Sequence, residues 1–201
     1  MRKGLLFIIS GPAGSGKGTV VKKIIEKHPE VKLSISMTTR QPRPIETPDV
    51  DYYFVTRELF TERIEKGEML EYAEYNGNFY GTPRAKVMES LENGNDVILE
   101  IEVEGAMQIK AAFPEAIGIM LTPPDREVLE RRLRGRGTET EENIIKRLNK
   151  AKLEITYLPR YDYSVINEDG GIEACADLVY SIMQAEHSKT ARTAEIIAKF
   201  E

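Results

Sequence analysis

A three-layer α/β fold, with a mostly parallel sheet between two layers of helices, is the architecture that this 201-residue sequence predicts. Three observations predict it. The stretch Leu5–Val21 reads LLFIISGPAGSGKGTVV, an apolar strand run joined to a helix through a glycine-rich turn. The other strong apolar runs are short and β-branched, and segments of helical spacing separate them, which is the alternation of a sheet wound with helices. Hydrophobic residues make up 41% of the chain, enough at this length for one substantial core.

The first strand, over Leu5–Ile9, is too short to span a bilayer and runs straight into the turn, so it reads as a core strand and not as a signal peptide. In the turn, Gly11, Gly14 and Gly16 let backbone N–H groups fold round an anion where a Cβ would clash, and the helix starting near Lys17 aims its positive end at the same place. Lys17 adds a point charge. Gly11-x-x-x-x-Gly16-Lys17 between strand and helix is the phosphate-binding P-loop pattern, the mark of a nucleoside triphosphate site. One position departs from it: Gly18 stands where Ser or Thr is usual as a magnesium ligand, and Thr19 follows, turned by about 100° round the helix.

That helix is expected to end near His28-Pro29. Further core strands are expected over Leu33–Ser36, Asp96–Ile101, Ala116–Leu121 and Tyr163–Ile166, and helices over Val87–Glu92, Met107–Ala112, Arg126–Leu133, Glu141–Tyr157 and Ile172–Glu186. Two regions interrupt the rhythm. The segment QPRPIETPDV, residues 41–50, holds three prolines and is not regular helix; the YYFV, EMLEYAEY and NGNFYGT runs after it read as short antiparallel strands around a helix over Arg57–Lys66. Residues 39–82 therefore read as an inserted unit within a core formed by 1–38 and 83–201. The second interruption, RGRGTET from Arg134, has the composition of a mobile lid, taken as about 134–142. From Ser188 onward a weakly constrained terminal helix is expected.

Lys and Arg total 28 against 33 Asp and Glu, a net charge of −5, which argues against nucleic acid or an anionic membrane as the main partner. Cys175 is the only cysteine, so an intrachain disulfide and a thiol-based zinc site are excluded, and a reducing cytoplasm is the expected location. His28 and His187 lack partners at ligand or catalytic spacing and read as structural or surface residues. Arg40 and Arg43 stand around a proline just ahead of the insertion, and guanidinium forks suit bidentate phosphate recognition.

From this point the motifs become specific. S-x-S-x-T-T-R-x-P-R from Ser34, D-Y-x-F-V from Asp51, E-Y-A-E-Y-N-G-N-F-Y-G-T from Glu71 and R-G-R-G-T-E from Arg134 follow the P-loop in order. With it they resemble the guanylate kinase family over roughly residues 5–186. The resemblance implies a P-loop nucleotide kinase fold with a GMP-binding insertion and a lid. It also implies transfer of the γ-phosphoryl of ATP to GMP, giving ADP and GDP, with dGMP a further acceptor.

Site roles follow from that resemblance residue by residue. Gly11, Pro12, Ala13, Gly14, Ser15, Gly16, Lys17, Gly18 and Thr19 fall on the ATP phosphate loop, and Asn167 on a position near the adenine ring. Ser36, Arg40, Arg43, Tyr52 and Tyr80 fall on positions that bind the GMP phosphate, and Glu71, Thr82 and Glu102 on those that contact guanine. A carboxylate suits guanine, whose N1–H and exocyclic amine are adjacent donors. Lys17, Arg132, Arg136 and Arg147 match the cations round the transferring phosphoryl, where positioning and charge neutralisation carry the catalysis. Mg²⁺ is expected to bridge the ATP phosphates mostly through waters, with Thr19 and Glu100 or Glu102 as outer partners.

Rival readings are distinguishable. A catalytically silent, protein-binding relative of these kinases is expected to erode the P-loop and lid arginines, which this chain retains. An adenylate-type kinase has no use for Glu71 or the Ser36–Arg43 motif. RNA binding through Arg131–Arg136 would be strongly salt-dependent and sits poorly with the net acidity.

Overall fold

The computed structural model describes residues 3–75, 77–135, 140–193 and 200, with the Tyr75 side chain outside the description. Five strands form one all-parallel sheet in the order β2 (Lys32–Leu33), β7 (Val97–Glu100), β1 (Leu6–Ser10), β8 (Ile117–Thr122) and β9 (Tyr163–Ile166). β1 is central and wholly buried, so both of its faces must be apolar, and LFII meets that requirement.

The two faces of β1 seed two cores. Phe7 and Ile9 pack with Val20, Val21 and Ile24 of α1 (Lys17–Lys27) and with Ala176, Val179 and Met183 of α7 (Ile172–His187). Leu6 and Ile8 point the other way, to Val87 and Leu91 of α3 (Arg84–Glu92) and Ala106 and Ile109 of α4 (Val103–Ala112). Period-two alternation in one strand thus sorts the helices into two outer layers. A third cluster, Leu129, Leu133, Ile144, Leu148 and Ala151, joins α5 (Arg126–Arg134) to α6 (Glu141–Ile155).

A second sheet has the order β4 (Tyr52–Phe54), β3 (Ser36–Thr38), β6 (Asn78–Pro83), β5 (Met69–Tyr75), with α2 (Arg57–Glu65) between β4 and β5 in sequence. Two sequence expectations are corrected here. Leu33–Ser36 is not one strand: β2 ends at Leu33 against β7, and β3 starts at Ser36 against β4 and β6, so the chain passes from one sheet to the other through Ser34 and Ile35. Nor are the short strands all antiparallel, because β4 runs parallel to β3; the proline-rich connection 39–51 has the length a parallel crossover needs. Helices α3 and α4 begin earlier than expected, at Arg84 and Val103, and the tail holds only α8 (Thr190–Thr193) before residues 194–199, which lie outside the description.

The remaining single-residue expectations resolve simply. Cys175 is buried beside α1, His28 stacks on Tyr180 with ring centroids 3.4 Å apart, and His187 is buried with Nε2 2.8 Å from Asp96 Oδ2.

Candidate active site

The glycine turn sits at the carboxyl end of β1, where an open parallel sheet presents ligands to solvent. Gly11, Gly14 and Gly16 hold φ of 148°, 95° and 93°, and each also lacks room for a side chain. A Cβ on Gly11 would lie 2.0 Å from the Leu121 carbonyl oxygen, and one on Gly16 would lie 2.4 Å from Asn167 Nδ2. Helix α1 starts from Gly16 with no side-chain cap and no acidic residue in its first turn. Its leading N–H groups are left for an anion.

Lys17 lies across the mouth of the turn. Its Nζ donates to the Gly11 carbonyl at 2.5 Å and stands 3.8 Å from Glu102 Oε1. Gly18 and Thr19 follow on the exposed side of α1. Beside Gly18 stands Glu100, the last residue of β7, whose Oε1 is 3.3 Å from where a Gly18 Cβ would be. Burial pushes the Glu100 carboxyl above the usual carboxylate range, with Lys17 opposing and Glu102 adding to the shift. For Glu102 burial works upward too, but Lys17 and Lys150 together outweigh it and hold the carboxyl below its ordinary value. Lys150, on α6, donates to Glu102 at 3.0 Å and lies 3.3 Å from Glu154.

Asn167 follows β9 and is buried; its Nδ2 donates to the Ser15 carbonyl at 2.8 Å and so braces the turn from behind. Its own carbonyl accepts from Arg132 Nη2 at 2.8 Å. Arg132 is further held by Asp169, which takes Nε at 3.1 Å and Nη2 at 2.8 Å and also accepts from Arg131. Those arginines keep the Asp169 carboxyl below its usual range. Arg132 Nη1 is buried with no hydrogen-bond partner in the described structure, in a cleft lined by Gly14, Gly16, Asn167 and Ile172. Arg147 lies half-buried on α6, and Arg136 falls outside the described residues.

The second sheet carries the other group. Ser36 is on β3, Tyr52 on β4, Glu71 on β5, and Tyr80 and Thr82 on β6. Thr82 Oγ1 donates to Glu71 Oε1 at 2.7 Å, and both side chains are buried. Burial raises the Glu71 carboxyl pKa, and the Thr82 hydrogen bonds offset the rise only in part. Arg40 is clamped by Glu46 through two bonds of 2.8 and 2.9 Å, with Tyr52 stacked 5.5 Å from its guanidinium carbon and Tyr80 edge-on to Tyr52. The Arg40 guanidinium, with the Arg43 backbone N–H, holds the Glu46 carboxyl down to about 2. Arg43 itself is exposed.

The expected donor-loop residues thus share one end of the first sheet, and the expected acceptor residues share the second sheet, with Glu100 and Glu102 at the end of β7. Sequence reasoning missed Glu46, Asp169, Lys150 and Glu154, the carboxylates and the amine that hold the expected groups. Only Glu46 had a local signal, its place six residues after Arg40 within the proline-rich connection. Chemically, the first cluster suits a polyphosphate, and the second offers a buried acceptor to a planar donor pair beside an arginine for a phosphate. Among the described residues no three His, Cys, Asp or Glu side chains group to hold a metal ion by themselves.

Comparison with known proteins agrees with this layout. The family model described as guanylate kinase matches residues 3–186. The chain is 48% identical to a guanylate kinase of Clostridioides difficile, covering 98% of this chain and 95% of that one. It is 51% identical to a guanylate kinase of Lactococcus lactis, covering 96% and 93%. The crystal structure of a guanylate kinase from Anaplasma phagocytophilum superposes with a TM-score of 0.77 at 35% identity, covering 95% of this chain and 90% of that one.

Proposed function

This chain belongs to the guanylate kinase family, and from that premise we propose how its residues carry out the reaction. It is an ATP:GMP phosphotransferase. The observation that carries the residue assignment is the pairing of an uncapped helix N-terminus behind three glycines at positive φ with a buried, hydroxyl-pinned carboxylate on the second sheet.

On the donor side the backbone N–H groups of residues 11–19 take the ATP phosphates, and Lys17 exchanges the Gly11 carbonyl for their outer oxygens. Arg132, fixed by Asp169 and the Asn167 carbonyl, offers its free Nη1–H to the same charge. Arg147, with Arg136, completes the cationic surround; the lid expected over 134–142 includes residues 136–139, which lie outside the described residues. On the acceptor side Arg40 leaves Glu46 for the GMP phosphate, joined by Arg43, Ser36 and the Tyr52 and Tyr80 hydroxyls. Glu71 accepts the N1–H and exocyclic amine of guanine while Thr82 keeps it in place, and Glu102 borders the base. Residues 39–82 act as the acceptor-binding unit.

The site fits Mg²⁺ bound chiefly to nucleotide phosphates and water, because its acidic oxygens are few and Glu100 is a half-buried carboxylate beside Gly18. Glu100 and Thr19 would help to hold such an ion, which would supply neutralisation of phosphate charge. The reaction asks for no general base, and in-line positioning supplies most of the rate. dGMP is accepted as well, since none of the groups assigned here reads the 2′-hydroxyl. ATP and GMP supply, and the lone buried thiol, suit the cytoplasm; among the described residues no helix is long and apolar enough to cross a membrane.

The test is a coupled ADP-release assay with Mg²⁺-ATP and GMP, dGMP, AMP, UMP or CMP in turn. Turnover with the two guanine nucleotides and near-silence with the rest is expected. Equal turnover of AMP would remove the assignment of Glu71.

A further inference from the structure

Resting on Glu71 as the reader of guanine, we infer that Gly105 is a specificity-determining position: its missing side chain is the space in which the Glu71 carboxylate sits. Gly105 is buried in the first turn of α4 and is not among the residues with positive φ, so backbone conformation does not demand glycine there. Alanine is the better helix former at such a position. What forbids alanine is the approach of one group. A Cβ on Gly105 would lie 2.7 Å from Glu71 Oε2 and 3.3 Å from its Cδ, with Ile101 Cδ1 at an ordinary 3.5 Å.

The carboxylate is therefore fixed from two sides. Thr82 holds Oε1 by a 2.7 Å hydrogen bond, and the bare face of Gly105 receives Oε2. The distance between helix and strand is set by Gln108, one turn further along α4. Its Oε1 accepts from the Tyr72 backbone N–H at 3.2 Å, and its Nε2 donates to the Tyr72 carbonyl at 3.0 Å. Tyr72 is the neighbour of Glu71 on β5, so this clamp pins the helix beside the reading residue.

Because the group in the way is the end of a flexible side chain, alanine at 105 shifts the carboxylate and leaves the fold alone. Gly105→Ala is expected to raise the KM for GMP by roughly ten- to a hundredfold, the scale of a misplacement near 1 Å. Its ATP KM stays at the wild-type value, its GMP-to-AMP preference narrows, and its melting temperature is unchanged or higher. Gln108→Ala, which frees the helix from Tyr72, is expected to raise the GMP KM by a smaller factor, again without effect on ATP. In a Glu71→Gln background Gly105→Ala is expected to cost little more.

The outcomes separate the two layers of the argument. If Glu71→Gln weakens GMP but Gly105→Ala leaves the GMP KM and the base preference untouched, Glu71 keeps its role and the inference about Gly105 is wrong. If Glu71→Gln itself changes neither, the reading of Glu71 fails and the inference falls with it. Loss of cooperative melting in Gly105→Ala, or equal losses for GMP and ATP, would make Gly105 a packing residue and overturn the inference.

Discussion

Residues 11–19 and the sheet formed by β3–β6, the proposed phosphate sites of donor and acceptor, are built from different materials. The donor loop uses backbone: three glycines at positive φ, uncapped N–H groups and one lysine, all within nine residues. The acceptor group uses side chains drawn from Ser36 to Glu102, spread over four strands, the loop after β3 and the start of α4, with Thr82 holding Glu71 and Lys150 holding Glu102. In the loop, geometry and function are one local property, so a change there is severe and cannot be repaired by a neighbour. In the sheet they are distributed, so changes are graded and fall on one substrate at a time.

The largest expected effect tests the loop. Lys17→Ala should lower kcat by on the order of 10²–10³, as loss of a preorganised electrostatic donor does, while melting stays within a few degrees of wild type. Among the described residues the ammonium contacts the Gly11 and Pro12 carbonyls and Glu102, and it packs in none of the hydrophobic clusters. Steady-state turnover within a few-fold of wild type would mean that the backbone alone carries the donor site.

Glu71→Gln comes next and tests the sheet. The substitution keeps size and the Thr82 contact but replaces one acceptor oxygen with a donor, facing guanine with a mismatch. Discrimination between GMP and AMP is expected to shrink by about a hundredfold, since unpaired buried polar groups are what reject a wrong base. The ATP KM should not move. A matching rise in the ATP KM would show the two ends to be coupled and end the contrast.

A smaller effect probes how the loop end borrows from side chains. Asp169→Asn removes the charge that orients Arg132 yet leaves the Asn167 carbonyl bond, so a several-fold rise in the ATP KM with a modest fall in kcat is expected. An unchanged ATP KM would mean that Asn167 suffices to aim the guanidinium.

The same contrast decides what was legible before the structure. Gly11 to Lys17 could be read because every residue of the device is contiguous. The strand and helix order could be read because burial on both faces of β1, β7 and β8 forces continuous apolar runs. Leu33–Ser36 misled because its alternation of apolar and polar residues specifies a strand but not a partner, and the chain changes sheets within it. The parallel pairing of β4 was hidden for the same reason, although the length of 39–51 held the clue. Asp169 on Arg132, Lys150 on Glu102 and Gln108 on Tyr72 join residues 36 or more positions apart, where one sequence carries no signal of contact. Glu71 and Thr82 were singled out through motif resemblance alone; their burial and mutual hydrogen bond were not visible.

The smallest effect is one of stability, and it has opposite signs at two carboxyls of the acceptor group. Burial raises the folded pKa of Glu71 above the ordinary glutamate value of 4.5, so between those two values the native chain holds a proton that the unfolded chain has released. Stability then falls as pH rises through that window, and above it the full penalty of a buried charge persists. Glu71→Gln removes the penalty. The mutant is expected to melt a few degrees higher than wild type at pH 7, a difference that closes as pH falls toward 4.5 and the wild-type carboxyl gains its proton. Glu102 works the other way: Lys17 and Lys150 hold its pKa below 4.5, so its contribution is complete above that value and is lost in acid as it protonates. Glu102→Gln should therefore melt lower than wild type at pH 7, with the gap closing in acid. Melting curves of the two variants from pH 4 to 8 give the comparison directly. A Glu71→Gln protein less stable than wild type at pH 7 would mean that the carboxylate is held by more than the Thr82 hydroxyl, and that the acceptor end spends no stability on reading its base.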